Sequence, residues 1–237
     1  MSTKAVIFDL DDTLISEMDY VRSGYRAVAK ALSGEEESLK GISLSGRFTA
    51  EELYKKFVKL SEEDTKQVFN RFLCSVDIED SRDNVMTLVR IYREHKPVIG
   101  YQSDVPETLK GLRQKGFRLG ILSDGYAVTQ RNKVEALRAE DDFDVVILTD
   151  EIGKDAWKPS PEGFQKAADI LRVPLNSLMY VGDNPEKDFY INHTCGIPTA
   201  RITREDGVYR DREYREGIRE TYTLTKLTDL LTIPELQ

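Results

Sequence analysis

Residues 6–14 read VIFDLDDTL, in which an apolar run leads directly into three aspartates. The segment from Ala5 to Leu10 is typical of a buried strand, because its apolar residues are continuous rather than alternating, as in a parallel sheet covered on both faces. Carboxylates repel one another, so a cluster of them at such a strand end is unfavourable unless a cation lies among them. This stretch therefore predicts a first core strand with a charged site at its carboxyl end.

The rest of the chain shows two different patterns of predicted secondary structure. Residues 16–97 predict helices alone: at 17–33, at 50–60 with Thr49 as N-cap, at 82–94, and one capped by Ser61 that carries Val68, Phe69 and Phe72. From residue 98 onward strands and helices alternate, which predicts a doubly wound parallel α/β sheet. Because the first strand belongs to that alternation, we expect an α/β core at residues 1–15 and 98–237, with an all-helical domain at 16–97 inserted into it.

The alternation gives these core elements. Strands are predicted at 117–122, 143–148, 178–181 and 197–202; helices are predicted after Ser103, through Val134 and Leu137, and at 161–171, 186–194 and 227–231. The charged segment 203–221 is predicted to be a solvated loop with part of a helix.

Composition restricts the possible partners. The formal net charge of −8 argues against nucleic acid, because a phosphate backbone needs a basic face. No window resembles a transmembrane helix, and the N-terminus lacks the long apolar stretch of a secretory signal. Cys74 and Cys195 predict free, buried thiols in a reducing cytoplasm. We expect a cytoplasmic protein, monomer or homodimer, with neither a membrane nor a nucleic-acid partner.

Chemistry-bearing residues follow four of the predicted core strands. In an open α/β sheet, ligands bind beyond the carboxyl ends of the strands. The residues at those positions are Asp9 and Asp11 after the first strand, Ser123, Asp124 and Gly125 after the second, Lys158 one loop beyond the third, and Asp183 and Asp188 within GDNPEKD after the fourth. Four such groups in order predict one site at one edge of the sheet.

Several carboxylates at one point predict a metal ion. Oxygen ligands favour a hard cation, and Mg²⁺ is the usual ion where a phosphate also binds. Asp9 and Asp183 would supply carboxylates, and Asp11 a backbone carbonyl. Asp188, or alternatively Asn184, would contribute directly or through water.

The same residues suggest a covalent phosphoryl transfer. Asp9 would attack phosphorus, and Asp11 would protonate the leaving oxygen and later deprotonate water. Ser123 and nearby backbone N–H groups, at Asp124 and Gly125, would bind phosphoryl oxygens, and Lys158 would neutralise developing charge. Asp12 is interpreted as a solvent-facing turn residue, and Thr13 as a residue whose hydrogen bond orients the loop.

Four short segments resemble, in order and spacing, the four motifs of the haloacid dehalogenase superfamily of phosphohydrolases. They are Asp9–Thr13, Ser123, Lys158-Pro159 and Gly182–Asp188. The resemblance implies a Rossmann-like core, Mg²⁺ and an aspartyl-phosphate intermediate. It also implies that residues 16–97, inserted just after the first motif, are the helical cap in which selectivity varies.

The predicted function is a Mg²⁺-dependent phosphatase acting on a small phosphorylated metabolite of the nucleoside monophosphate or sugar phosphate class. The second acid, Asp11, favours phosphoryl transfer over dehalogenation, because a halide leaves without a proton. The alternatives are a sugar phosphomutase, a non-catalytic phosphate-binding regulator and a protein with a vestigial site. Within residues 41–48, Arg47 is a candidate contact for a second anionic group of the substrate, against the alternative of a solvated loop arginine.

Overall fold

The computed structural model describes residues 3–35, 39 and 42–237. The chain divides into two compact units, an α/β unit of Met1–Glu17 and Ile99–Gln237 and a helical unit of Met18–Val98. The sequence predicts a core at 1–15 and 98–237 and a cap at 16–97. Gly41, the first residue of the segment proposed to carry a substrate contact, lies outside the described residues.

The secondary structure follows the predicted alternation. In chain order the described strands are β1 (Ala5–Phe8), β2 (Arg118–Ser123), β3 (Val145–Leu148), β4 (Leu178–Gly182), β5 (Thr199–Ile202) and β6 (Tyr222–Leu224). The described α-helices are α1 (Glu17–Ser33), α2 (Ala50–Glu63), α3 (Val68–Ser75), α4 (Arg82–Glu94), α5 (Val105–Gln114), α6 (Ala127–Leu137), α7 (Ala139–Asp142), α8 (Thr149–Ile152), α9 (Glu162–Leu171) and α10 (Tyr190–Cys195). None of these helices combines the length and apolarity that crossing a membrane requires.

The described strands form one parallel sheet in the order β3-β2-β1-β4-β5-β6. The direction of winding reverses at β1, where Ile7 pairs with Gly120 of β2 on one side and with Tyr180 of β4 on the other. Ligands of doubly wound sheets bind at this reversal, beyond the carboxyl ends of the strands. The predicted α/β class is therefore confirmed, and β1, β2 and β4 end side by side at the expected place for a site.

The sheet is buried on both faces. In β1, Val6 and Phe8 pack into one apolar cluster while Ala5 and Ile7 pack into another on the opposite face. This two-sided burial explains why the strand reads as a continuous apolar run. Beyond the strand, Leu10, Leu14 and Ile15 are also buried in the first cluster, so the aspartate-bearing loop is anchored by apolar side chains.

The helical unit has a separate, aromatic-rich core. Tyr25 of α1 stacks on Phe57 of α2 with ring centroids 5.4 Å apart, and Phe57 stacks on Phe72 of α3 at 3.9 Å. Thr49 caps α2 as predicted: it accepts a hydrogen bond from the Glu52 N–H, and the Glu52 carboxylate accepts one from the Thr49 N–H.

Two predictions about local helical structure are wrong. Ser61 does not cap a helix; it lies inside α2, where its hydroxyl donates to the Val58 carbonyl at 2.8 Å. The predicted helix at 227–231 is a 3₁₀ segment, Leu227–Thr232. In both places tertiary packing overrides a local pattern.

Two further regions also differ from expectation. The helix predicted at 186–194 is the shorter α10, and the sequence pattern missed β6 within the charged C-terminal part. Cys74 is exposed, so the prediction of a buried thiol is wrong there, whereas Cys195 is half-buried.

Candidate active site

Three buried aspartates meet where β1 and β4 end. Carboxylate oxygens of Asp9, Asp183 and Asp188 all lie within 4.8 Å of one another. Asp9 directly follows β1, and its N–H donates to the Val181 carbonyl of β4 at 2.8 Å, which ties the two strand ends together. Asp183 directly follows β4. The sheet topology thus brings together acids that lie far apart in the sequence.

Lys158 is the cation of this cluster. Its Nζ lies 2.9 Å from Asp9 Oδ1 and 2.9 Å from Asp188 Oδ1, and its side chain is only 1% exposed. It also donates to the Tyr180 hydroxyl at 2.6 Å. A lysine buried to this degree needs partners for its charge, and here it has two carboxylates.

Burial is the main influence on the pKa values of the acids in the cluster. Burial raises the pKa of Asp9 to about 6; Lys158 opposes the rise and Asp188 adds to it. Burial, then Asp188 and Asp9, raise the pKa of Asp183 well above its usual value. Burial would lower the pKa of Lys158, but Asp188 and Asp9 raise it well above its usual value. The lysine is therefore charged, yet its charge does not cancel the rise in the pKa values of Asp9 and Asp183.

Asp188 is held by the backbone around it. Its Oδ2 accepts a hydrogen bond from the Asn184 N–H at 2.9 Å. Gly182 has no side chain at the point where Asp188 packs, and a Cβ there would collide with the carboxylate. Asn184 itself acts in the turn, since its side-chain oxygen accepts the Glu186 N–H at 2.9 Å. The geometry thus places Asp188 in the cluster and gives Asn184 a local role.

The predicted phosphate-binding residues divide into two groups. Ser123 is buried at the end of β2, and Gly125 has a φ of +129°, a conformation that favours glycine. The Asp124 carboxylate is already engaged, accepting from the Lys158 N–H at 3.1 Å, from Thr149 Oγ1 at 2.8 Å and from Lys187 Nζ at 2.8 Å. Asp124 therefore orients the lysine loop through its side chain.

Asp124 is also ionised in this environment. Burial alone would raise its pKa, but the charges of Lys158 and Lys187 hold it below the usual value. Lys187 was not identified from the sequence, although it stands within the GDNPEKD segment.

Asp11 contacts helix α6. Lys133 Nζ lies 2.6 Å from Asp11 Oδ1, and Gln130 Nε2 lies 2.9 Å from Asp11 Oδ2. Neither α6 residue was predicted. The available signal was that Gln130 and Lys133 are three residues apart, on one face of the helix that follows Ser123.

The solvent-facing interpretation of Asp12 is wrong. Asp12 is 1% exposed and has a positive φ of 49°. Its Oδ1 accepts the Glu17 N–H and its Oδ2 accepts the Val208 N–H, both at 2.8 Å. Asp12 does form a turn, but its carboxylate binds two backbone groups, one five residues away and one 196 residues away along the chain.

The charged segment 203–221 is mostly exposed, but some of its residues contact the two loops that carry the acids. Besides the Val208 contact, Arg204 donates to the Thr13 carbonyl at 2.7 Å, and the Arg215 N–H donates to the Pro185 carbonyl at 3.2 Å. The Thr13 hydroxyl, predicted to orient the loop, is buried and has no hydrogen-bond partner among the described residues. The backbone of Thr13 is bound instead.

Glu17 is a further ionisable group near the acids. Burial, and next the charge of Asp11, raise its pKa to about 7, while the charge of Lys133 opposes the rise. Nothing in the sequence pattern distinguished it from the other polar residues of α1. Arg47, in contrast, lies in the helical unit, where its guanidinium donates to the Val76 carbonyl at 3.3 Å.

The residues at this edge fit a hard divalent cation. The cluster offers carboxylate oxygens alone, which are the ligands that Mg²⁺ prefers. Three acids share one directly bridging lysine in a buried place, and burial is the main reason that the pKa values of Asp9 and Asp183 are raised. The donor set and its electrostatics therefore both suit a bound cation.

Comparisons with known proteins show the family to which the chain is similar. Residues 6–202 match the family model of haloacid dehalogenase-like hydrolases. A glyceraldehyde 3-phosphate phosphatase of Methanopyrus kandleri is 32% identical, over 90% of this chain and 88% of that protein. The pyrophosphatase PpaX of Bacillus cereus is 25% identical, over 98% of this chain and 97% of that one.

A solved structure has the same architecture. The crystal structure of a phosphatase of this family from Thermococcus onnurineus has a TM-score of 0.58 and is 26% identical, covering 97% of each chain. The likeness extends over both units of the chain.

Proposed function

Because the chain belongs to the haloacid dehalogenase-like hydrolases, we propose that it is a Mg²⁺-dependent phosphatase that acts through an aspartyl-phosphate on Asp9. The observation that carries the proposal is the contact of Asp9 with Lys158, 2.9 Å apart at the centre of an acid cluster. The relatives named as phosphatases support hydrolysis of a small phosphorylated substrate.

Asp9, Asp183 and Asp188 are the residues that would hold the metal. A bound Mg²⁺ would neutralise charge on the phosphoryl oxygens and on the attacking carboxylate. The backbone carbonyl of Asp11 remains a predicted further ligand. Lys158 would remain beside Asp9 and bind a phosphoryl oxygen, because it is charged and points at the nucleophile.

In the first step, an Asp9 oxygen forms a bond to phosphorus while the bond from phosphorus to the ester oxygen breaks. Asp11 donates its proton to the departing oxygen, so the alcohol leaves neutral. Ser123 is buried at the neighbouring strand end, where its hydroxyl and the following backbone N–H groups would bind phosphoryl oxygens.

In the second step, water attacks phosphorus and the bond to Asp9 breaks. Asp11, now ionised, takes the proton of that water, so the enzyme returns to its starting state with phosphate released. One carboxyl group thus serves as acid and then as base, which requires that Asp11 be distinct from the nucleophile.

The substrate class is proposed to be small phosphate esters, sugar phosphates and nucleoside monophosphates included. The relative that acts on glyceraldehyde 3-phosphate supports a small sugar phosphate. In this proposal the helical unit serves as a cap that sets selectivity, and Arg47 contacts a second anionic group of the substrate. Loss of the Arg47 charge in Arg47→Ala is expected to raise KM for the best substrate without changing kcat.

The test is a screen of phosphorylated metabolites with Mg²⁺, scored for released phosphate and repeated with Asp9→Asn. We expect phosphate release from a subset of the panel and a loss of about 10⁴-fold or more in the variant, because the nucleophile is gone. Asp169→Asn, a change at an exposed carboxylate on α9, is the matched control and should retain full activity. A panel that yields no phosphate contradicts the proposal, and conversion between isomers without release would indicate a mutase.

A further inference from the structure

Helix α6 turns polar side chains, rather than a purely apolar face, toward the interior. Thr129, Gln130 and Lys133 are all buried, with Val134 beside them. A buried lysine and a buried glutamine on one helix are costly unless each has a defined partner. Both partners are found at the proposed catalytic edge.

Lys133 and Gln130 together occupy both oxygens of the Asp11 carboxylate. Lys133 Nζ is 2.6 Å from Oδ1, and the Gln130 amide nitrogen is 2.9 Å from Oδ2. Each helix residue donates to a different oxygen, so the carboxylate can rotate only if it breaks one of the two contacts. Hydrogen bonds to a charged acceptor are about twice as strong as neutral ones.

Gln130 also reaches the phosphate-binding hydroxyl. Its Nε2 donates to Ser123 Oγ at 2.6 Å, so the two amide hydrogens serve Asp11 and Ser123. Because Ser123 accepts this bond, its own hydroxyl hydrogen is left for another acceptor. The hydroxyl donates to the Asp124 carbonyl at a long 3.4 Å. A phosphoryl oxygen would be a better acceptor.

Gly125 makes room for this arrangement. A Cβ at Gly125 would lie 3.2 Å from Cγ and from Cδ of Gln130, and the positive φ of Gly125 already disfavours a side chain. The backbone turn after β2 and the glutamine side chain are thus fitted to each other.

We propose that Lys133 and Gln130 are positioning residues that hold the acid–base carboxylate of Asp11 and couple it to Ser123 through one hydrogen-bonded chain. The inference rests on the proposed function, in which Asp11 moves the proton. It adds two residues of α6 that act on the reaction through Asp11 and Ser123.

The test compares two phosphate esters with different needs for a proton. Phenolate is a poor leaving group and needs general acid help, whereas 2,4-dinitrophenolate leaves without it. Single-turnover formation of the phosphoenzyme is measured for both esters with the full-length protein and Mg²⁺. For Lys133→Met we expect a loss of about 30-fold or more with phenyl phosphate and less than about 3-fold with 2,4-dinitrophenyl phosphate. Gln130→Met should show the same bias.

Asp11→Asn provides the reference. It should show the same bias between esters, and Lys133→Met added to Asp11→Asn should cause no further loss, because the lysine acts only through that carboxyl group. Lys133→Arg keeps the charge and should recover part of the lost rate. Glu135→Gln, at an exposed position of the same helix, should behave as the unmodified protein.

Two results separate the possible failures. Equal losses with both esters, or additive losses in the double variant, would overturn the positioning role and leave the phosphatase proposal standing. A wild-type protein that forms no phosphoenzyme with either ester, in contrast, overturns the proposed function itself.

Discussion

The interior of the helical unit and the carboxyl edge of the α/β sheet bury opposite kinds of side chain. The helical unit has an interior of stacked rings, with Phe57 between Tyr25 and Phe72. Its ion pairs lie at the surface, as in Arg22 with Asp19, where both side chains are more than half exposed. The carboxyl edge of the α/β sheet instead buries its ion pairs, with Lys158 among the acids.

The difference is consistent with a stabilising role for the helical interior and with the proposed catalytic role of the sheet edge. Apolar rings gain free energy on burial in proportion to the area they remove from water. Buried charges lose hydration, and their pairing at best offsets that loss. The buried charges at the α/β edge therefore cost stability, and such a cost is common at functional sites.

The largest expected effect is on the aromatic core. Phe57→Ala removes a fully buried ring and should lower the free energy of unfolding of the helical unit by about 3–5 kcal/mol. The sole tryptophan, Trp157, lies in the α/β unit. In a denaturant titration, the circular dichroism transition should therefore begin earlier while the Trp157 fluorescence transition stays in place.

Met86→Ala is the control for that experiment. Met86 is half exposed on α4, so its loss should change stability by no more than about 0.5 kcal/mol. Equal shifts of both signals in Phe57→Ala would contradict separate stabilisation of the two units.

The second expected effect is on the acid cluster at the carboxyl edge of the sheet. Mg²⁺ at about 100 times its Kd should raise the free energy of unfolding by about 2.7 kcal/mol. Asp183→Asn should abolish this gain and should stabilise the metal-free protein, because one buried negative charge is removed. Thermal unfolding with and without MgCl₂ measures both changes, and Asp169→Asn is the control that should keep the full gain.

The metal-free protein should also respond to pH. Asp9 has a pKa of about 6 in the folded state against an ordinary 3.8. The folded state thus holds more protons between these values, so this group makes stability fall as pH rises from about 4 to 6. Asp9→Asn should remove that part of the slope. If the slope of stability against pH is unchanged in the variant, the pKa of Asp9 is not raised in the folded state.

The smallest effect concerns an ion pair of intermediate burial. Asp104 Oδ2 accepts from Arg204 at 2.8 Å and from the Leu227 N–H at 2.7 Å. Burial would raise the Asp104 pKa, but these hydrogen bonds hold it below the ordinary 3.8. The contribution of ionised Asp104 to stability is present at pH values above 3.8. It is lost as the pH falls through the lowered folded-state pKa.

Asp104→Asn should therefore cost about 1–2 kcal/mol at pH 7 and much less near pH 2. Urea titrations at the two pH values measure the difference between variant and wild type. A cost that stays the same at both values would mean that the charge of Asp104 contributes nothing.

Much of the architecture could be predicted because it depends on local patterns. The bounds of α1 and α4 agree with the predicted 17–33 and 82–94, since a long amphipathic stripe specifies a helix locally. The predicted family is confirmed by the match over residues 6–202. The errors fall where the pattern is short, as at Ser61 and β6.

The sequence by itself determined the parallel α/β class and which acids, hydroxyl and lysine follow the strand ends, because continuous apolar strands and their order along the chain fix where those ends meet. Only the tertiary structure decided what these residues contact. It buried Asp12 against Val208, used the Asp124 carboxylate to hold the lysine loop, and set Lys133 and Gln130 of α6 on Asp11. These partners lie tens to nearly two hundred residues away along the chain, and no local propensity carries that information.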